Sequence, residues 1–201
     1  MLKKKGIFIC IEGLDGAGKT TQTKLLIQQL KKSYDVLYTS EPSKGLIGSF
    51  IREKYLYGEN RLSPFVEALL FAADRIEHVQ TEILPALKEG KIVVCDRYIY
   101  SSLAYQGAGE VDLQWIQNIN KSILYPDLAI YLDIDPVKVL QRLNSKRSIM
   151  ENLETQKKVR NLYLRFVRSE KLILVNADKS KNKVAKDLFI VVQKFLKGFS
   201  R

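Results

Sequence analysis

Residues 6–22 of the chain read GIFICIEGLDGAGKTTQ and join an apolar run to a cluster of glycines. The run GIFICI is apolar throughout, which is typical of a strand covered on both faces. Residues 13–20 match the pattern G-x-x-x-x-G-K-[ST], in which backbone N–H groups at the start of a helix cradle phosphate oxygens. The motif requires a strand before it and a helix after it, and this stretch predicts both.

Four more short apolar runs follow along the chain and alternate with helical patterns. The five predicted strands are GIFICIE from Gly6, DVLYTSE from Asp35, KIVVCDR from Lys91, LAIYLDI from Leu128 and LILVNAD from Leu172. Helices are predicted at about 18–33, 63–90, 112–122, 136–145, 151–168 and 181–197, the second capped by Ser63 and ended by Gly90. Right-handed crossovers then give an α/β three-layer sandwich with a five-stranded parallel sheet, in a single domain over residues 1–201.

Composition narrows the class of protein. The 201 residues carry a net charge of +11, which suits a polyanionic partner, but no aromatic residues are interleaved with the basic clusters as nucleic-acid binding favours. No apolar stretch reaches membrane-spanning length, so we expect a soluble, cytoplasmic protein that binds neither membrane nor nucleic acid. Cys10 and Cys95 lie in apolar runs and are predicted to be buried, reduced thiols, and a single histidine, His78, excludes a histidine metal cluster.

The glycine-rich motif assigns chemical roles within the predicted nucleotide site. Lys19 is expected to reach the terminal phosphates, and the Thr20 hydroxyl is placed to ligate Mg²⁺. The motif alone does not distinguish ATP from GTP. The predicted ATP-binding residues are Gly13, Leu14, Asp15, Gly16, Ala17, Gly18, Lys19, Thr20 and Thr21.

A second acidic element follows the third predicted strand. Asp96 ends this strand beside the presumed nucleotide and is a candidate to orient Mg²⁺, the alternative being that it caps the next helix. Asp133 and Asp135 compete for the same role, but Pro136 after them indicates a helix start and favours capping there.

Arginines near predicted strand ends and helix starts suggest a second phosphate site. Each alone is more often a surface ion-pair residue, but guanidinium groups suit phosphate, and Arg97 must share the edge of the sheet that carries the glycine-rich loop. The candidates are Arg52, Arg75, Arg97 and, counted as one site, Arg142 with Arg147.

Five segments together resemble thymidylate kinases. EGLDGAGKTTQ, TSEP, GLIGSFIR, LLFAADRIEH and DRYIYSSLAYQG occur in the order and spacing of that family, and the resemblance extends from about Ile7 to Tyr163. It implies the nucleoside monophosphate kinase type of fold with a small lid. It also implies transfer of the γ-phosphoryl group of ATP to dTMP with Mg²⁺, giving dTDP and ADP on the route to dTTP, and a homodimer.

The resemblance also implies roles for the acceptor residues. Phe71, otherwise read as a core aromatic, would stack on thymine, with Arg75 bonding the base edge and Ser102 and Gln106 as further base contacts. Tyr105 would pack against the sugar and favour deoxynucleotides.

Further implied roles concern the acceptor sugar and phosphate. Asp15 would approach the sugar 3′-hydroxyl. Glu41 and Pro42 would shape the pocket beside the acceptor phosphate, which Arg52 and Arg97 would hold.

Two departures from the family pattern matter. Ser40 stands where the family often has arginine, and the glycine-rich loop has no arginine of its own, as in the bacterial type whose catalytic arginines come from a lid. The stretch QRLNSKRS then makes a lid at about 142–151. Its candidate cations are Arg142, Lys146 and Arg147.

Three other functions remain as alternatives. A deoxynucleoside kinase would need a carboxylate base such as Glu41, whereas a nucleoside monophosphate is already largely dianionic at neutral pH and needs none. A kinase for another nucleoside or deoxynucleoside monophosphate is a second alternative. A guanine-nucleotide switch would need an N-K-x-D element, and VNADKS has Asn176 and Asp178 at the wrong spacing.

Overall fold

The computed structural model describes residues 6–56, 62–142 and 153–199 of the chain. Its strands form one parallel sheet in the order β2-β3-β1-β4-β5, so the strand that precedes the glycine-rich loop lies at the centre. All five predicted strands are confirmed. They are β1 (Ile7–Gly13), β2 (Val36–Ser40), β3 (Ile92–Asp96), β4 (Leu128–Asp133) and β5 (Ile173–Asn176).

Helices cover both faces of this sheet, which confirms the three-layer prediction. They are α1 (Lys19–Leu30), α2 (Leu46–Phe50), α3 (Pro64–His78), α4 (Leu84–Lys88), α5 (Ile99–Ala108), α6 (Leu113–Ile119), α7 (Pro136–Arg142), α8 (Leu153–Arg168) and α9 (Lys181–Phe199). Helix α1 packs against α9, whereas α5 packs against α3, α6 and α8. Right-handed crossovers in this strand order place these two groups on opposite faces.

The long helix predicted over residues 63–90 is interrupted. It starts as expected, with the Ser63 hydroxyl accepting from the Val66 N–H and Pro64 in the first turn, and Gly90 with φ 84° follows its end. Between α3 and α4, however, Val79–Ile83 is a π-helical turn. The side-chain pattern does not reveal a one-residue change of hydrogen-bond register, so the prediction missed it.

The core lies between the sheet and its helices. Residues 8–11 of β1 are fully buried, because both faces of the central strand are covered. Cys10 and Cys95 face each other in the β1–β3 register as buried free thiols, as predicted. Burial raises the pKa of both thiols well above its usual value. None of the helices in the described ranges combines the length and the apolar composition of a membrane span.

Candidate active site

The predicted phosphate cradle lies between β1 and α1. Gly16 and Gly18 have φ values of 83° and 90°, a left-handed conformation that side chains with a Cβ rarely adopt, and Gly18 is the N-cap of α1. The Lys19 ammonium donates to the Leu14 carbonyl at 2.8 Å and lies 3.9 Å from the Asp15 carboxylate. Burial, and then the charge of Arg97, lower the pKa of Lys19 to about 8.

Asp96 and Thr20 meet at the edge of the cradle. The Thr20 hydroxyl donates to Asp96 Oδ2 at 2.5 Å, while Asp96 Oδ1 is buried with no hydrogen-bond partner among the described residues. Helix α5 has no side-chain cap at its start, so the structure does not support the capping alternative for Asp96. A carboxylate oxygen left unpaired beside a threonine hydroxyl fits the oxygen ligands that Mg²⁺ prefers.

Asp133 and Asp135, the competing candidates for the Mg²⁺ role, do not line the pocket around the cradle. Asp135 accepts from the Val137 N–H at 2.8 Å and so caps α7, as predicted. Capping is wrong for Asp133, because both of its oxygens accept from Arg160, at 2.8 and 2.9 Å. A prediction from local sequence could not find a partner 27 residues away on α8.

Arg97 follows β3 directly and reaches back to the cradle. Its backbone is left-handed, with φ 70°, a strained conformation that is concentrated at functional sites. Its guanidinium contacts the Asp15 carboxylate and Ser101 Oγ and lies 5.0 Å from the centre of the Tyr105 ring. Burial would raise the pKa of Asp15, but Arg97 and Lys19 outweigh it and lower that pKa to about 2.

A first pocket opens beside this pair, with an empty volume of about 620 Å³ that includes its open mouth. Phe71 is half-buried and lines the pocket, so the reading of Phe71 as a pure core aromatic does not hold. The lining residues are Asp15, Glu41, Pro42, Phe71, Arg75, Arg97, Tyr98, Ser101, Ser102, Tyr105 and Gln106.

A buried socket holds Arg75 at the floor of this pocket. Arg75 lies within α3, not at the start of a helix, and is only 1% exposed. It donates to Glu41 Oε2 at 2.9 and 2.7 Å, to Asn120 Oδ1 at 2.7 Å and to Ser102 Oγ at 3.0 Å. Burial opposes its charge, but Glu41 more than compensates and raises the Arg75 pKa. The named partners use four of the five N–H groups.

A second pocket surrounds the cradle. Arg52 lines it from the π-helical turn Ile51–Leu56 and donates to the Pro42 carbonyl and the Ser49 hydroxyl. Ser40, at the end of β2, lines the same pocket. The lining residues are Asp15, Gly16, Gly18, Lys19, Thr20, Thr21, Tyr38, Ser40, Glu41, Pro42, Arg52, Asp96 and Arg97.

Most of the predicted lid lies outside the described residues, including Lys146 and Arg147. Arg142 is the last residue of α7, and its side chain is not among those described.

Sequence reasoning missed several residues that hold these pockets in shape. His78 contacts Glu41 Oε1 at 3.3 Å, and Glu12 accepts hydrogen bonds from α5. The signal for Glu12 was present, because it is the only charged residue in the strand segment GIFICIE. Asn120 gave no such signal, since its partner Arg75 is 45 residues away.

Comparison with known proteins gives a consistent result. A family model described as thymidylate kinase matches residues 11–188. The chain is 44% identical to a probable thymidylate kinase of Pyrococcus horikoshii, with 96% of this chain and 99% of the relative covered. Identity is 45% to a probable thymidylate kinase of Thermococcus gammatolerans, with 96% and 99% covered. It is 40% to a thymidylate kinase of Caldanaerobacter subterraneus, with 96% and 98% covered.

Proposed function

The chain belongs to the thymidylate kinase family, and we propose that its two pockets hold the two substrates of that family's reaction, ATP and dTMP. The observation that carries the proposal is that the two pockets share four lining residues, which form a wall common to both. Asp15, Glu41, Pro42 and Arg97 line both pockets, so a donor phosphate in the cradle and an acceptor phosphate meet at the same four residues. Phosphoryl transfer needs this proximity above all.

The first pocket, which Phe71 and Gln106 line, is the proposed acceptor site and suits a pyrimidine nucleotide. Phe71 offers a flat apolar face to a base, and Gln106 Oε1 is a buried acceptor with no partner among the described residues. Thymine carries an N–H group that can donate a hydrogen bond to such an oxygen. The ring of Tyr105 lies beside Arg97 and Asp15, where the deoxyribose of dTMP would pass towards the cradle.

The proposed mechanism depends on positioning and charge. The acceptor phosphate, with a second pKa near 6 by analogy with phosphorylated side chains, attacks as a dianion without a base. Lys19 and Arg97 offset the charge on the transferring group, joined by a lid cation from Arg142 or Arg147. Arg52 and Arg97 hold the acceptor phosphate. A closed lid at about 142–151 would exclude water.

Thr20 and Asp96 are the residues that would hold Mg²⁺, because the Thr20 hydroxyl meets Asp96 Oδ2 at the cradle and Asp96 Oδ1 has no hydrogen-bond partner among the described residues. When bound, the ion supplies positive charge at the donor phosphates. Among the described residues, no cluster of three His, Cys, Asp or Glu side chains offers another metal site.

A homodimer and a cytoplasmic location belong to the same proposal and rest on the family resemblance. An exposed apolar stripe on α3 supports the homodimer, since Phe65, Val66 and Leu69 are 52%, 42% and 49% exposed.

The alternative function, a deoxynucleoside kinase, would need Glu41 as its general base. Glu41 is buried, and its oxygens are bound by Arg75 and His78, so its carboxylate is engaged in structure. The proposal is tested by assaying five acceptors, each with ATP and Mg²⁺, for phosphorylated product. They are dTMP, dUMP, dCMP, the ribonucleotide ribothymidine monophosphate, and thymidine. We expect dTDP from dTMP and no phosphorylation of thymidine. Thymidine as the better acceptor would overturn the proposal, and equal rates with dCMP would remove the thymine preference.

A further inference from the structure

Glu12 is a fully buried carboxylate that the mechanism above does not use. It lies in β1 next to the cradle and is 0% exposed. Oε1 accepts from the Tyr98 N–H at 3.0 Å, and Oε2 accepts from Ser101 Oγ at 2.6 Å and Tyr163 Oη at 3.1 Å. Among the described residues, no cation lies within ion-pair distance of it, so its direct partners are these three hydrogen-bond donors.

Ser101 connects this carboxylate to Arg97. Its single hydroxyl hydrogen points to Glu12 Oε2, which leaves a lone pair to accept Arg97 Nη1–H at 3.0 Å. If Glu12 stopped accepting, the hydroxyl could rotate and present its hydrogen to the guanidinium, a donor facing a donor. The direction of the Ser101 hydroxyl therefore depends on the charge of Glu12.

The same carboxylate supports the strained backbone of Arg97. The Arg97 N–H donates to the Ile11 carbonyl at 3.0 Å, and the next N–H, of Tyr98, donates to Glu12. These two bonds tie the left-handed residue to β1 on both sides of its Cα. Glu12 thus contacts both the backbone that aims the Arg97 side chain and the hydroxyl that holds its tip.

We propose that Glu12 is a positioning residue for phosphoryl transfer, which orients Arg97 through the Ser101 hydroxyl and the Tyr98 N–H. The proposal rests on the proposed role of Arg97 at the acceptor phosphate. Burial raises the pKa of Glu12 to about 7, against the hydrogen bond from Ser101 and the charge of Arg97, so the fold keeps this carboxylate at an energetic cost. Residues kept against stability are expected at functional sites.

The test compares the two hydroxyls that share Glu12 Oε2. Ser101→Ala cuts the link to Arg97. Tyr163→Phe removes the other donor, whose hydroxyl lies 3.1 Å from Ser101 Oγ but forms no hydrogen bond to Arg97 among the described residues. We expect Ser101→Ala and Glu12→Gln each to lower kcat by at least about tenfold, because small misplacements of a reacting group carry such penalties. The KM for ATP should stay within about twofold, and Tyr163→Phe should keep kcat within about threefold.

A double variant and an arginine control complete the test. Glu12→Gln with Ser101→Ala should lower kcat no further than the worse single variant, since the Ser101 hydroxyl is itself one of the two connections through which Glu12 acts. Equal effects of Ser101→Ala and Tyr163→Phe, or additive effects in the double variant, would overturn the positioning role. Arg97→Ala is run in parallel: if it keeps near-normal kcat, the proposed function of Arg97 fails, and the positioning role fails with it. If Glu12→Gln does not fold, the comparison of Ser101→Ala with Tyr163→Phe decides alone.

Discussion

The guanidinium of Arg97 is ion-paired with the carboxylate of Asp15 on the wall that the two pockets share. The pair joins the residue after β3 to the loop after β1. Because the pKa of Asp15 is lowered to about 2, both partners stay charged at every pH at which a nucleotide phosphate is dianionic. The pair therefore fixes a guanidinium where donor and acceptor phosphates converge.

Arg97→Ala should lower kcat at least about a hundredfold, since a group aimed at the transition-state charge contributes that much or more in related chemistry. Arg97→Lys should recover only part of the loss, because an ammonium cannot contact Asp15, Ser101 and a phosphate as a planar fork does. Steady-state kinetics with dTMP measure both variants, and thermal unfolding checks that they fold. An Arg97→Ala enzyme with near-normal kcat would remove Arg97 from the mechanism.

The lowered pKa of Lys19 predicts that activity falls at alkaline pH. With a pKa of about 8 in the folded protein, Lys19 loses its charge as pH rises above about 8, so kcat/KM for ATP should decline there. Burial and Arg97 set this value, against the opposing charges of Asp15, Asp96 and Glu12. A pH profile at constant ionic strength measures it. In Lys19→Arg, activity should be lower but should lack this decline, and a flat wild-type profile well above pH 8 would contradict the assignment.

Asp96→Asn should raise the Mg²⁺ concentration needed for half-maximal activity at least about tenfold, because an amide still accepts from Thr20 but offers no negative charge to the ion. Titration of activity with Mg²⁺ measures this shift. Asp133→Asn is the matched control, since its carboxylate pairs with Arg160 outside both pockets and its Mg²⁺ dependence should not change. An equal shift in both variants would argue against Asp96 as a metal residue.

Glu41→Gln should destabilise the fold, because it leaves the buried Arg75 charge without its anion. Breaking a buried pair of this kind costs about 3 to 5 kcal/mol. Urea unfolding measures the loss, and the KM for dTMP should rise in the same variant. The surface pair between Glu89 and Lys91 provides the control: Glu89→Gln should leave the urea midpoint of unfolding nearly unchanged. Equal losses would mean that Arg75 does not need Glu41.

Glu12 predicts a pH dependence of stability. Its pKa is about 7 in the folded protein, above the reference value of 4.5, so the folded state binds the proton more tightly. The free energy of unfolding should therefore fall as pH rises from about 4.5 to about 7, by about 3 kcal/mol. The lowered pKa of Asp15 affects the free energy of unfolding only below this pH range. The raised pKa of His78 adds a further loss of stability at the upper end of the range. Chemical unfolding of Glu12→Gln should lack most of the slope, and an unchanged slope would refute the assignment.

The sequence predicted what local patterns encode. Apolar runs located the five strands, and the glycine spacing located the cradle, because both depend on neighbours in the chain. Helices α2 and α5 were missed, the latter because the segment after Arg97 carries site residues on a mostly buried helix and lacks an amphipathic pattern. The sequence named Arg75 and Arg97 as candidates and the resemblance gave them roles, but only the fold shows their partners. Tertiary contacts bring Asn120 to Arg75. They also bring Glu12 to Arg97 through Ser101, and no local pattern records either contact.

The most direct test of the central claim is a crystal structure of the enzyme with dTMP. We expect the thymine ring to lie against Phe71, with the phosphate within hydrogen-bond distance of the Arg97 guanidinium on the shared wall. A well-ordered dTMP that binds away from both residues would contradict it.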